Sequence, residues 1–230
     1  MKDVLLLLSI TFLLGIWYIF FPDQYFLVSI LLILLVLIYG MFHLEKLRLN
    51  AKELAMMASL ATIAVAGRIL FFAFPQVKPT AAIVFISGLA LGKAPGFTIG
   101  LLSMFLSNFI FGQSVNTPFQ MLGMGLVGFS GGFLVVEETK KMRRTWQVAS
   151  LGGLVTLLLY GFVVDTGSAL YFLQFQQVSA VYAVYLAGIP FNLVHAVSTT
   201  MFLYFFYGLM GRQINRVKEK YGLFDSKMVK

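Results

Sequence analysis

Gly112-Gln-Ser-Val-Asn-Thr-Pro-Phe-Gln-Met121 is a short polar stretch set between two strongly apolar segments. Gln113, Ser114, Asn116, Thr117 and Gln120 carry side chains that both donate and accept hydrogen bonds. Pro118 restricts the residue before it to extended conformations. Such a stretch reads in two ways. It is a rigid loop at the mouth of a helical bundle, suited to recognising a small polar molecule, or it is an ordinary turn. Either way it separates two membrane-length elements, and the rest of the chain is read outward from it.

The chain has 230 residues, of which 60% are hydrophobic and 11% charged, with a mean hydropathy of +0.90. A water-soluble core cannot hide that much apolar surface. Repeated continuous apolar runs predict an all-α integral membrane protein, since helices satisfy their own backbone in lipid. Barrel strands would alternate instead. The chain has no cysteine, which excludes thiol catalysis, disulfides and thiolate metal sites. The net charge of +8 implies loops beside anionic lipid rather than nucleic acid.

Eight spans are predicted: Val4–Phe21, Tyr25–Phe42, Leu54–Phe74, a short Ala81–Leu91, Phe97–Phe111, Met121–Val136, Val148–Leu173 and Val178–Leu209. Lys2 precedes the first run, which is long for a signal core and lacks a small-x-small cleavage site, so a retained hairpin is expected. Gly92-Lys-Ala-Pro-Gly96 reads as a turn. With both termini cytoplasmic, 15 of the 17 basic residues fall on the inner side, as the positive-inside rule requires. Merging Ala81–Phe111 into one span would put the charged break Glu137–Arg144 outside, so the split reading is preferred. The chain divides into a hairpin and link (1–50), a central bundle (51–211) and a basic tail (212–230).

Arg68 and Lys78 are the two basic residues off the inner side. Arg68 lies within the third span, roughly 9 Å below its outer end by helical rise. A buried arginine costs about 2.5–3.5 kcal/mol on insertion scales, so it needs a partner or a purpose. Asp165 lies roughly 12 Å below the same face. A structural Arg68–Asp165 pair and direct contact of either with a ligand are both open. Gly88, Gly92, Gly96 and Gly100, then Gly123, Gly125, Gly128, Gly131 and Gly132, read as close helix packing. Ala51, Ala55 and Ser59 form a small-residue stripe that docks either another membrane helix or a neighbour within the chain.

Gly88-Leu-Ala-Leu-Gly92-Lys93-Ala94 falls short of a P-loop by one residue and lacks the Ser or Thr that holds magnesium. ATP hydrolysis by this chain is therefore not expected. His43 and His195 are isolated, so no metal or cofactor is expected. Gly128-Phe-Ser130-Gly131 with His195 resembles the dyad of rhomboid intramembrane proteases, but helical rise sets the two about 10 Å apart in depth. Val194-His195-Ala196-Val197 lacks the small residues that follow the histidine in rhomboids, and no His and Asn pair in an earlier span supplies an oxyanion hole.

From about Ala51 to Gly211 the chain resembles a substrate-binding S component of energy-coupling-factor (ECF) transporters. The resemblance is carried by Gly67-Arg68, Pro75 with Lys78-Pro79, the glycine-punctuated short spans, Ser107-Asn108, Gly112-Gln113, Thr117-Pro118-Phe119-Gln120-Met121 and Pro190-Phe-Asn192-Leu-Val-His195-Ala196. The Thr-Pro-x-Gln-Met segment is similar to a subgroup associated with cobalamin or related corrinoids. The resemblance implies a six-helix core, here preceded by an extra N-terminal transmembrane hairpin. It also implies a high-affinity vitamin receptor in the cell membrane, part of an ABC-type transporter. A transmembrane coupling subunit and two cytoplasmic ATPases would supply the drive, the bundle toppling to deliver its ligand inward. The docking stripe maps onto Ala51, Ala55 and Ser59. Candidate ligand contacts are Arg68, Lys78, Gln113, Asn116, Thr117, Gln120, Asp165 and Gln176, the loop amides suiting a carboxamide-rich corrinoid. The alternatives are another vitamin or precursor (queuosine precursor, thiamine, riboflavin), and more distantly the rhomboid-like protease or a proton-coupled carrier using Asp165.

Overall fold

The fold is seen in a computed structural model that describes residues 20–134, 144–173, 175 and 178–224, with four single positions before residue 20. Most of the first expected span, most of the charged break after Val136, the amides Gln174, Gln176 and Gln177, and the chain from 225 onward lie outside the described residues. Among the described residues the secondary structure is helical, with no strand.

Among the described residues, seven α-helices follow one another. They are α1 (Tyr25–Lys46), α2 (Ala51–Leu70), α3 (Thr80–Leu91), α4 (Lys93–Phe111), α5 (Thr117–Phe133), α6 (Thr145–Leu173) and α7 (Val178–Tyr221). Among the described residues, α2, α4, α6 and α7 are long and apolar enough to cross a bilayer. The 12-residue α3 is roughly 18 Å long at ~1.5 Å per residue, well short of a ~30 Å hydrocarbon layer.

The local sequence explains most of these boundaries. α2 opens with a capping box: Asn50 Oδ1 accepts the Glu53 N–H at 2.9 Å and Glu53 Oε2 accepts the Asn50 N–H at 2.8 Å, so two orphan donors are satisfied reciprocally. The turn expected over Gly92–Gly96 contracts to Gly92 alone, whose φ of 97° favours glycine. Pro95 then falls in the first turn of α4, where a missing N–H breaks no helical bond. The same logic moves the start of α5 to Thr117, four residues ahead of expectation. Thr117 is already helical and Pro118 occupies the first turn, so Pro118 starts a helix rather than holding the loop extended.

α3 is the buried strut of the bundle: Thr80 to Gly88 are all buried, and the helix packs on α2, α4, α5 and α7. Its seam with α4 and α5 brings backbones into direct contact. A methyl group added at Gly88 would lie 1.9 Å from the carbonyl oxygen of Gly128, and one at Gly100 would lie 2.3 Å from that of Met124. α1 packs on α4 and α5, where Val28 and Leu32 form a small apolar cluster with Phe119.

Two features were not expected. α6 contains a π-helical turn, Thr156–Gly161, and such single wide turns often occur at functional sites. α7 runs for 44 residues with Pro190 inside it, or roughly 66 Å at ~1.5 Å per residue. It continues past Leu209 to Tyr221, and the chain then folds back. Leu223 and Phe224 are each 2% exposed, Lys218 Nζ donates to the Ala90 carbonyl at 2.7 Å, and the Phe224 N–H donates to Glu53 Oε1 at 2.9 Å. The described part of the stretch that reads as a basic tail thus packs against α2 and α3.

Candidate functional site

A cavity of about 550 Å³ lies among α2, α4, α5, α6 and α7, with the segment after α2 forming part of its rim. Helical spacing explains its walls. From α6 come Tyr160, Val164, Asp165 and Ser168, and from α7 come Val184, Ala187, Gly188, Phe191, Asn192 and His195. Both sets recur every three or four residues, so each marks one helix face. Met104, Gln120 and Met124 complete the lining with Arg68, Pro75, Gln76, Lys78 and Thr80. Polar and charged groups thus converge on an otherwise apolar recess, the usual make-up of a small-molecule site.

Arg68 and Asp165 share this cavity but are not bonded to each other. The Arg68 Nη1 donates to Ser107 Oγ and, at 2.7 Å, to Asn108 Oδ1, and its guanidinium carbon lies 4.6 Å from the Phe111 ring centroid. Asp165 Oδ2 accepts from Asn192 Nδ2 at 2.6 Å. Of the two readings that the sequence leaves open, the ion pair is not formed: each charge has its own set of neutral partners. Ser107 and Asn108 sit one turn from the end of α4, level with Arg68, which puts them nearer than α6. A notch makes room for the carboxylate: a methyl at Gly188 would lie 2.4 Å from Asp165 Oδ2. A second notch at Gly161 receives Asn192, whose Cγ would be 2.7 Å from an added methyl.

Asn108 links the arginine to the stretch 112–121. Its Nδ2 donates to Thr117 Oγ1 at 3.0 Å and to Gln120 Oε1 at 2.8 Å. Thr117 also accepts from the Ser114 N–H at 3.0 Å. Of the residues in that stretch, Gln120 lines the cavity. Gln113 turns away and donates to the Phe105 carbonyl at 3.1 Å, and Asn116 donates to Ser168 Oγ at 3.0 Å. The loop therefore serves mainly to hold α4 and α5 in register. Gln176 lies outside the described residues.

Lys78 lines the cavity rim, and its ammonium donates to the carbonyls of Phe71, Phe72 and Phe74. It thereby ties together the turn that follows α2, in which Phe71 and Phe74 also accept the N–H groups of Phe74 and Val77. Burial lowers its pKa from the usual lysine value, and repulsion from Arg68 adds to the effect.

Tyr160, Asn192 and His195 are cavity residues that sequence reasoning did not assign to the site. Tyr160 is carried by the π-helical turn and meets the His195 ring edge-on at 5.0 Å. His195 lines the cavity and Ser130 does not. Ser130 lies six residues beyond the cavity residue Met124 along α5, roughly 9 Å away by helical rise, and nearby Gly132 packs against Lys93. Among the described residues, no group of three or more His, Cys, Asp and Glu could hold a metal. Ala51, Ala55 and Ser59 lie near the start of α2, roughly 26 Å from Arg68 at its end for the first of them, and all three are exposed.

Apolar helices of membrane length around a mainly apolar recess with a few converging polar and charged groups define a helical membrane protein with a candidate small-molecule site. The sequence model of the family described as "ECF-type riboflavin transporter, S component" matches residues 48–211, more than half of the chain, and the chain belongs to that family. No curated protein and no solved structure matches it. Membership fits a transporter subunit rather than an enzyme.

Proposed function

We propose that this chain captures a vitamin from outside the membrane in the cavity between α2 and α7 and hands it inward with the help of separate energising subunits. The observation that carries the reading is the family match taken with the cavity: a receptor family on one side, and on the other a recess of about 550 Å³ holding Arg68 and Asp165. In this reading α2 to α7 are the six-helix core (51–211), the hairpin of 1–50 is an addition, and both termini are cytoplasmic. Arg68, Gln120 and Asp165 contact the ligand, Lys78 orders the rim, and Asn116 and Thr117 support the wall.

Riboflavin ranks first among the ligands and cobalamin second. The corrinoid reading leaned on loop amides, and Gln113 and Asn116 spend theirs on Phe105 and Ser168. A 550 Å³ recess is of the size that encloses a drug-sized ligand, whereas a corrinoid with its side chains is several times larger. The partners are a membrane coupling subunit and two ATPases. Ala51, Ala55 and Ser59 are exposed, and Ala55 and Ser59 line an apolar groove of about 490 Å³ with Met56, Val217 and Tyr221, which supports docking of a partner helix there.

Reconstituted vesicles test the proposal. Radiolabelled vitamin uptake is expected with the coupling subunit, both ATPases and ATP present, and no uptake with this chain alone. Concentrative uptake by the chain alone would overturn it in favour of a self-sufficient carrier.

A further inference from the structure

A second recess, the groove of about 490 Å³ beside Ala55 and Ser59, lies at the opposite end of α2 from Arg68. One wall is α2 from Lys52 to Leu60, and the other is α7 from Gln213 to Tyr221 with Leu223 just beyond. Each wall runs roughly 12 Å at ~1.5 Å per residue, a little less than half of a ~30 Å hydrocarbon layer. Met56, Leu60, Ile214, Val217 and Leu223 make the inside apolar, and Val217 is 38% exposed, so part of this apolar surface is left uncovered. Charge is confined to one end. Lys52 and Tyr221 line the mouth, and the ammonium groups of Lys52 and Lys220 lie 5.6 and 5.2 Å from the Tyr221 ring centroid. Helical spacing puts Arg216 on the flank beside Lys220 and Glu219 on the opposite face of α7. Glu53, next to Lys52 in the chain, is 1% exposed and accepts the N–H groups of Asn50 and Phe224. The recess is therefore amphipathic along its length, cationic at the mouth and apolar behind it.

We propose that this groove seats one anionic phospholipid, with an acyl chain along Met56, Leu60, Ile214 and Val217 and the phosphate held at the mouth by Lys52 and Lys220. The charge pattern selects this occupant. Anionic headgroups gather at the basic ends of membrane proteins, and lysine stems cover apolar surface while their ammonium groups reach headgroup level. A free anion would meet the lysines and leave the apolar walls bare. A second copy of this chain would set Lys52 and Lys220 against their own duplicates. Met56 is unbranched and adapts to a flexible chain. The proposal does not depend on which ligand the other cavity takes. A partner helix docking on Ala55 and Ser59 would displace the lipid, which therefore belongs to the free chain.

Native mass spectrometry of the purified full-length chain in mild detergent tests the proposal, with phosphatidylglycerol and phosphatidylcholine of identical acyl chains, and glycerol phosphate, as probes. The wild-type chain is expected to retain one phosphatidylglycerol at least about tenfold more tightly than phosphatidylcholine, and no glycerol phosphate. Lys52→Gln combined with Lys220→Gln is expected to bring phosphatidylglycerol down to the phosphatidylcholine level. Val217→Trp, which fills the groove from an exposed position, is expected to weaken both lipids about tenfold. Equal retention of the two lipids by the wild-type chain overturns the proposal, as does a preference that survives the double lysine change. Undiminished lipid binding in Val217→Trp overturns it too, since surface charge alone would then hold the headgroup. Glycerol phosphate retained as tightly as phosphatidylglycerol assigns the lysines to free phosphate and overturns it. So does a chain that holds no lipid, which leaves the groove to a partner helix, or a dimer that Val217→Trp dissociates, which gives it to a second copy. If a variant does not fold, the wild-type comparison of the three probes still decides.

Discussion

Glycine does two different jobs on the two sides of this bundle. Along the α3–α4–α5 seam it lets backbone touch backbone, as where an added methyl at Gly128 would sit 2.1 Å from the Gly96 carbonyl oxygen. Across α6 and α7 it makes room for polar side chains instead: Gly188 for Asp165 and Gly161 for Asn192. The first side is a rigid scaffold whose tolerance is fixed by peptide groups that cannot move. The second is a wall shaped around functional groups. The same residue type in the same kind of helix therefore predicts a folding defect on one side and a binding defect on the other.

The largest expected effect tests the scaffold. Gly128→Ala is expected to destabilise near or above the upper end of the ~1–3 kcal/mol typical of overpacking, because the obstructing atoms are backbone. A collapse in detergent-extracted yield and melting temperature checks it, and a normal melting curve would break the distinction at its stronger pole. Arg68→Ala comes next and belongs to both sides. It removes ligand contact and leaves Asn108 Oδ1 without its donor, a cost of about 1–3 kcal/mol. Both affinity and melting temperature are expected to fall, and a loss of stability with affinity intact would assign Arg68 to the scaffold alone.

Gly188→Ala sharpens the other pole. The added methyl pushes on a side chain and not on backbone, so riboflavin affinity is expected to drop about tenfold, a ~1.4 kcal/mol effect, with the melting temperature nearly kept. The reverse pattern would merge the two regions into one. Replacing Ala51 and Ala55 together by leucine is expected to leave riboflavin affinity of the isolated chain unchanged and to abolish co-purification with the coupling subunit; intact assembly would refute the docking assignment. Lys78→Met should have the smallest effect, a loss within the 0.3–1 kcal/mol (about) typical of a cation at a helix C-terminus, read as a slight fall in melting temperature.

How far the sequence could be read follows the same divide. Continuous apolar runs gave the helices, and Gly92 with Pro95 marked the break between two short ones, since those residues act through local backbone chemistry. Arg68 stood out because a charge in an apolar span has few innocent explanations. Its partners did not, because Ser107 and Asn108 reach it by tertiary packing across 39 and 40 residues of sequence. The π-helical turn leaves no signature in Thr-Leu-Leu-Leu-Tyr-Gly, so Tyr160 was not assigned to the cavity. His195 drew notice through a serine motif that packing separates from it. The far end of α7 reads as a tail by its charges, yet Ile214, Lys218 and, just past the helix, Leu223 are buried there by tertiary packing.

The central claim is that the recess between α2 and α7 is where a vitamin sits, and one titration addresses it most directly. Riboflavin is added to wild-type protein and to Ala187→Phe, which puts a ring into the cavity from α7, with equal melting temperatures verified for the two. The account predicts saturable binding of one riboflavin per wild-type chain and loss of that binding in the filled variant. One-to-one binding of undiminished affinity in Ala187→Phe would contradict it, because the ligand would then be held elsewhere.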